Sequence, residues 1–149
     1  KLNSEYTNVQ VNDVHDITYR SDYGDIKINN GGKISGNCNY TNQRISNVYG
    51  QLNITTNYGD IRVDRVDKFT KNVAINSTYT NVSLNYEESY TFDFEYKLSY
   101  GNLNGSTGLK FTERREKDFE AVYKGYHKAA GENRMFIKAE YGNISLGRI

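Results

Sequence analysis

One feature constrains the fold of this chain above all others: a tyrosine, a turn-forming pair and two spaced apolar residues return again and again. Tyr23-Gly-Asp-Ile-Lys-Ile28, Tyr58-Gly-Asp-Ile-Arg-Val63, Tyr79-Thr-Asn-Val-Ser-Leu84 and Tyr141-Gly-Asn-Ile-Ser-Leu146 are four copies. Aligned on the tyrosine, the series is Tyr6, Tyr23, Tyr40, Tyr58, Tyr79, Tyr100, Tyr123 and Tyr141, at intervals of 17, 17, 18, 21, 21, 23 and 18 residues. Tyr123 is the weakest member, because Lys124-Gly125 replaces the usual pair after it. A recurring unit of this size buries its apolar face only by stacking on its neighbours.

The columns before the tyrosine define a strand. Six residues before it stand Ile17, Ile34, Leu52, Val73, Phe94 and Met135. Four before stand Leu2, Tyr19, Gly36, Ile54, Ile75, Tyr96, Phe119 and Ile137, and two before stand Ser4, Ser21, Cys38, Thr56, Ser77, Leu98, Ala121 and Ala139. Polar residues fill the alternate positions, and period-two alternation means a strand with one buried face. By the same parity the tyrosine points inward, which predicts an aromatic ladder beside the core. The competing reading is an exposed aromatic strip that stacks on sugar rings.

Past the tyrosine the phase breaks. Apolar residues return three and five positions on, as in Ile26 and Ile28 or Val82 and Leu84. An odd step between inward positions requires a corner, and Gly, Asn and Asp suit one. Thr7, Thr41 and Thr80 in the glycine column argue against a strictly left-handed conformation there. Variable polar loops, such as 64–72 and 85–89, close each unit.

The expected fold is therefore all-β: a single-stranded parallel β-helix, or β-solenoid, of about eight coils with 17–23 residues per coil. Equivalent positions lie over one another, turn upon turn, along one axis. A β-sandwich would not need the same residue type in the same column eight times. The mean hydropathy of −0.81, low for a globular domain, fits a thin core between polar faces. The 149 residues make a single domain, 1–149, expected to be the C-terminal part of a longer exported protein because the columns are already obeyed at Leu2. No apolar run is long enough to span a membrane. A net charge of +1 gives no basic excess to draw the chain to nucleic acid.

The stretches Ser21 to Ile28, Thr56 to Val63 and Glu140 to Leu146 resemble the Ser-x-Tyr-Gly-Asp-Ile-x-Ile repeats of a bacterial, adhesin-like family of unknown function. Tyr123 to Tyr126, Gly131 and Met135 to Leu146 are also similar to that family's final coils. The resemblance implies a secreted or envelope β-helix. It transfers no binding residue.

No catalytic, cofactor-binding or metal-binding residue is expected. The column two after the tyrosine reads Asn8, Asp25, Asn42, Asp60, Asn81, Asn102, Gly125 and Asn143, which suits a corner ladder of amide hydrogen bonds better than a calcium site. Asp22 and Asp25 flank one corner but obey the repeat, whereas a catalytic carboxylate pair would break it. His15 and His127 are expected on solvated loops, and Cys38 as a buried thiol. The run Glu113-Arg-Arg-Glu-Lys-Asp118 reads as a solvated connection or a protruding contact loop. The expected function is a non-catalytic surface or periplasmic module with a binding or structural role. Its partner is unknown, a glycan or an envelope or surface protein being the candidate classes. A degenerate carbohydrate-active β-helix enzyme and a module that self-associates end to end are the alternatives.

Overall fold

The computed structural model describes residues 2–105, 108–131 and 133–149, with side chains from Asn8 onward. The expected column members Leu2, Ser4 and Tyr6 lie outside the described side chains. The strands are β1 (Leu2–Ile45), β2 (Val48–Asn57), β3 (Ile61–Val66), β4 (Asn72–Thr78), β5 (Val82–Tyr86), β6 (Phe92–Ser99), β7 (Leu103–Asn104), β8 (Lys110–Lys117), β9 (Glu120–His127), β10 (Arg134–Glu140) and β11 (Ile144–Arg148). They form one sheet in the order β7-β11-β5-β3-β1-β2-β4-β10-β6-β9-β8, and the described residues contain no helix.

Like columns stack on like. Ile34 lies beside Leu52, Leu52 beside Val73, Val73 beside Met135 and Met135 beside Phe94. Beyond the corner, Gln43 lies beside Ile61, Ile61 beside Val82 and Val82 beside Ile144. The columns six, four and two before the tyrosine supply one wall of the core, including Ile54, Ile75, Ile137, Cys38 and Ala139, all buried. Gln43 is the polar exception: it occupies an apolar column and is buried. Its Oε1 accepts the Tyr19 hydroxyl at 2.5 Å.

The sheet is mixed, which corrects the expected all-parallel helix of eight coils. β9 runs antiparallel to β6, and β8 antiparallel to β9. Residues 113–118 are exposed apart from half-buried Glu113, but they are not an irregular connection: they form the end of β8 and part of the turn into β9. The physical reason is local: Glu113 to Asp118 offers no apolar column for an inward strand. Asp118 takes φ 54°, a left-handed turn that Asp tolerates, and the chain folds straight back. Tyr123 therefore belongs to no parallel coil. It lies opposite Tyr96, and its hydroxyl donates to Glu116 at 2.6 Å.

Sequence order and spatial order also part company. β10 sits between β4 and β6, and β11 between β5 and β7. The unit written last in the chain is thus an interior rung.

Candidate functional site

The tyrosine column forms one continuous stack. Tyr23, Tyr40, Tyr58, Tyr79, Tyr141 and Tyr100 follow one another with centroids 4.7–4.9 Å apart and planes within 6° of parallel. Phe119 adds a seventh ring at 4.8 Å and 14°. The ladder is not buried: its six tyrosines are 43–53% exposed, and Phe119 is 64% exposed.

This overturns the inward placement, and the backbone says why. All six tyrosines have φ between 52° and 61°. Period-two alternation holds only while the chain stays extended, so a left-handed residue ends the series and turns its own side chain out of it. The corner is the tyrosine itself, not the pair after it. The glycines that follow serve a second need, which is close approach. A Cβ on Gly142 would sit 1.9 Å from the Thr80 carbonyl oxygen, and one on Gly59 would sit 2.2 Å from that of Thr41. At Thr41 and Thr80, where threonine replaces glycine, the residue is buried and its hydroxyl donates to a carbonyl two residues back, that of Asn39 for Thr41 and of Thr78 for Thr80.

Polar columns flank the rings. On one side Asn39 Nδ2 donates to Asp22 Oδ1 at 3.0 Å, and Asn57 Nδ2 to Asn39 Oδ1 at 3.1 Å. On the other side the expected corner ladder is present in a different form. Side-chain oxygens of Asn42, Asp60, Asn81 and Asn143 accept backbone N–H groups of Asp60, Asn81, Asn143 and Asn102, at 2.9–3.4 Å. Asp and Asn alternate freely there because only an acceptor oxygen is needed.

Ring orientation decides what this edge can do. Each ring between Tyr40 and Tyr100 has a parallel neighbour on both faces, so a ligand meets phenol edges and hydroxyls rather than open faces. Sugar stacking along the strip, which needs ring faces, is therefore not its chemistry. Among the described residues Phe119 has a ring neighbour on one side only. It borders a cleft of about 420 Å³ that Tyr100, Asn102, Asn143 and Tyr123 also line. The columns assign Phe119 an inward position; Lys124-Gly125 in place of the usual pair after Tyr123 is the signal that this alignment fails.

The other singled-out residues are scattered. Asp22 and Asp25 stay within the polar columns beside Tyr23. His15 is exposed on β1, whereas His127 is buried rather than solvated. Its Nδ1 lies 2.5 Å from the Tyr90 carbonyl oxygen, which only accepts, so Nδ1 carries the proton. Its ring packs edge-on against Tyr86. Cys38 is a free buried thiol, and burial pushes its pKa up to about 11. No group of three or more His, Cys, Asp and Glu that could hold a metal ion occurs among the described residues. No described helix is long and apolar enough to cross a membrane.

An all-β repeat protein with one mixed sheet and an exposed aromatic edge is thus defined. Residues 1–147 match the Toastrack DUF4097 family, and the chain belongs to it. No curated protein matches the chain. A solved structure described as a "putative cell adhesion protein" from Clostridium sporogenes is similar at 10% identity, covering 99% of this chain and 92% of that one with a TM-score of 0.44.

Proposed function

We propose that this chain is a non-catalytic β-solenoid module of the cell envelope, whether periplasmic, attached to the outer membrane or extracellular, and that its tyrosine edge is the contact surface. The observation that carries the reading is the exposed seven-ring ladder. Soluble proteins rarely leave so much contiguous apolar surface open without a partner for it. The polar columns beside it add hydrogen-bonding groups at the same spacing. The partner this suits is an extended, repetitive one, a glycan strand or a surface protein segment, gripped by hydroxyls and amides rather than by ring faces. The residues of the edge obey the repeat, as a binding strip requires and a single catalytic centre does not.

The test is a glycan array and an envelope-protein pull-down with the wild type and a Tyr40→Ser/Tyr58→Ser/Tyr79→Ser variant. Binding by the wild type that the triple variant loses while it stays folded supports the reading. Equal binding by both removes the edge from the account. Turnover of a polysaccharide by the wild type would overturn the non-catalytic part.

A further inference from the structure

The last strands of the chain fill an interior slot. β10 makes seven in-register pairs with β4 and seven with β6. Met135, Ile137, Ala139, Ile144 and Leu146 bury their side chains there. Tyr141 closes the ladder, 4.7 Å from both Tyr79 and Tyr100. The slot thus specifies its occupant along its whole length.

The tether to that occupant is short and exposed, anchored at its far end where Asp93 N–H donates to the Asn133 carbonyl at 2.7 Å and Arg134 N–H to that of Lys71 at 3.0 Å. To pass from β9 to β10 the chain arches over the start of β6 through exposed Lys128 to Gly131. Lys128 and Gly131 take φ 66° and 91°, and a Cβ on Gly131 would meet nothing within 4 Å. The arch is held by polar contacts to the start of β6. Gly131 N–H donates to the Asp93 carboxylate at 2.9 and 3.0 Å, and Asn133 Nδ2 donates to the Thr91 carbonyl at 2.8 Å. An element with a fully specified slot and an exposed hinge is the arrangement that identical chains exchange.

We propose that residues 134–149 are exchangeable, and that a second copy of this chain fills the slot between β4 and β6 with its own, giving a strand-exchanged dimer. Asp93 is the latch that favours the closed monomer. The proposal stands apart from the tyrosine-edge reading, since the completed slot presents the same edge in either form.

Two variants of the full chain test it, each also carrying Cys38→Ala so that the introduced thiol is the only one. Asn76 and Lys138 are exposed register partners on β4 and β10, close enough across adjacent strands for a disulfide. When Asn76→Cys and Lys138→Cys chains are refolded together at high concentration and oxidised, exchange gives an interchain disulfide between unlike chains. Pairing Asn76→Cys with Lys27→Cys gives none. Adding Asp93→Ala to both partners raises the linked fraction several-fold. Refolded monomers that never cross-link, or a Lys27→Cys control that links equally, would overturn the proposal. Native-state amide hydrogen exchange on the unmodified chain is the independent check if refolding fails: β10 and β11 exchange ahead of β2 and β4. Equal protection would sink the idea.

Discussion

Tyr19 lies where the side chain of residue 36 would otherwise stand: a Cβ on Gly36 would come within 2.4 Å of the Tyr19 ring. The two are equivalent positions on successive turns, so a glycine above makes room for a tyrosine below. Gly36→Ala is expected to cost about 1–3 kcal/mol by overpacking. Tyr19→Leu in the same chain should recover part of that loss, since contacting residues couple. Chemical denaturation of the four-member cycle measures it, and strict additivity would refute the shared notch.

The Tyr19 hydroxyl and Gln43 form a private pair in the core. Tyr19→Phe strands the Gln43 Oε1 beside an Nε2 that already lacks a partner and should destabilise by about 1–3 kcal/mol. Tyr19→Phe/Gln43→Leu removes both partners and should be at least as stable as wild type. A double variant as unstable as the Tyr19 single variant would contradict this.

At position 58 two effects separate. Tyr58→Ala loses two stacked neighbours, worth about 1–3 kcal/mol together. Tyr58→Gly loses the same rings but relaxes the left-handed backbone, so it should be about 1 kcal/mol more stable than the alanine variant. Thermal melts ranking alanine above glycine would oppose the assigned conformation.

The acceptor ladder makes a chemical distinction. Asn81→Asp keeps the oxygen that receives the Asn143 N–H and should change stability little, as Asp60 already does in the same column. Asn81→Ala should cost about 0.5–1.5 kcal/mol. Urea midpoints compare the two.

Stability should decline at high pH. Burial raises the pKa of Cys38 to about 11 and of Tyr86 to about 12, and pushes Tyr19, Tyr90 and Tyr96 further up. Raised groups hold protons that the unfolded chain releases, so their stabilisation is complete below the unfolded values, near 9 for Cys and 10 for Tyr, and lost as pH climbs through the folded ones. Each group contributes about 1.4 kcal/mol per pH unit within its window. Tyrosinate absorbance should therefore show a late class of phenols ionising together with unfolding. A single early titration of all tyrosines would contradict their burial.

Much of this architecture was legible from the columns. Ile34, Leu52 and Val73 sit where period two puts them, because extended backbone enforces alternation. The tyrosines defeated the same rule because six of them leave extended conformation, and no pattern of hydrophobicity records the sign of φ. The hairpin was hidden because Tyr123 and Ala121 mimic the tyrosine and small columns. The displaced last rung was unreadable for a different reason: the recurring motif carries no mark of spatial order, and Tyr141-Gly-Asn-Ile taken alone matches the pattern of every rung. The columns name the aromatic edge but not which part of each ring it presents, because ring orientation follows from stacking geometry that one repeat cannot show.

Placing the last-written strands inside the stack has a consequence for synthesis. A polypeptide halted before residue 134 would not be a shorter tower but one with a gap between two finished floors, its β4 and β6 edges both bare. Products cut short before residue 134 should therefore be recognisable to quality control by that unfilled seam.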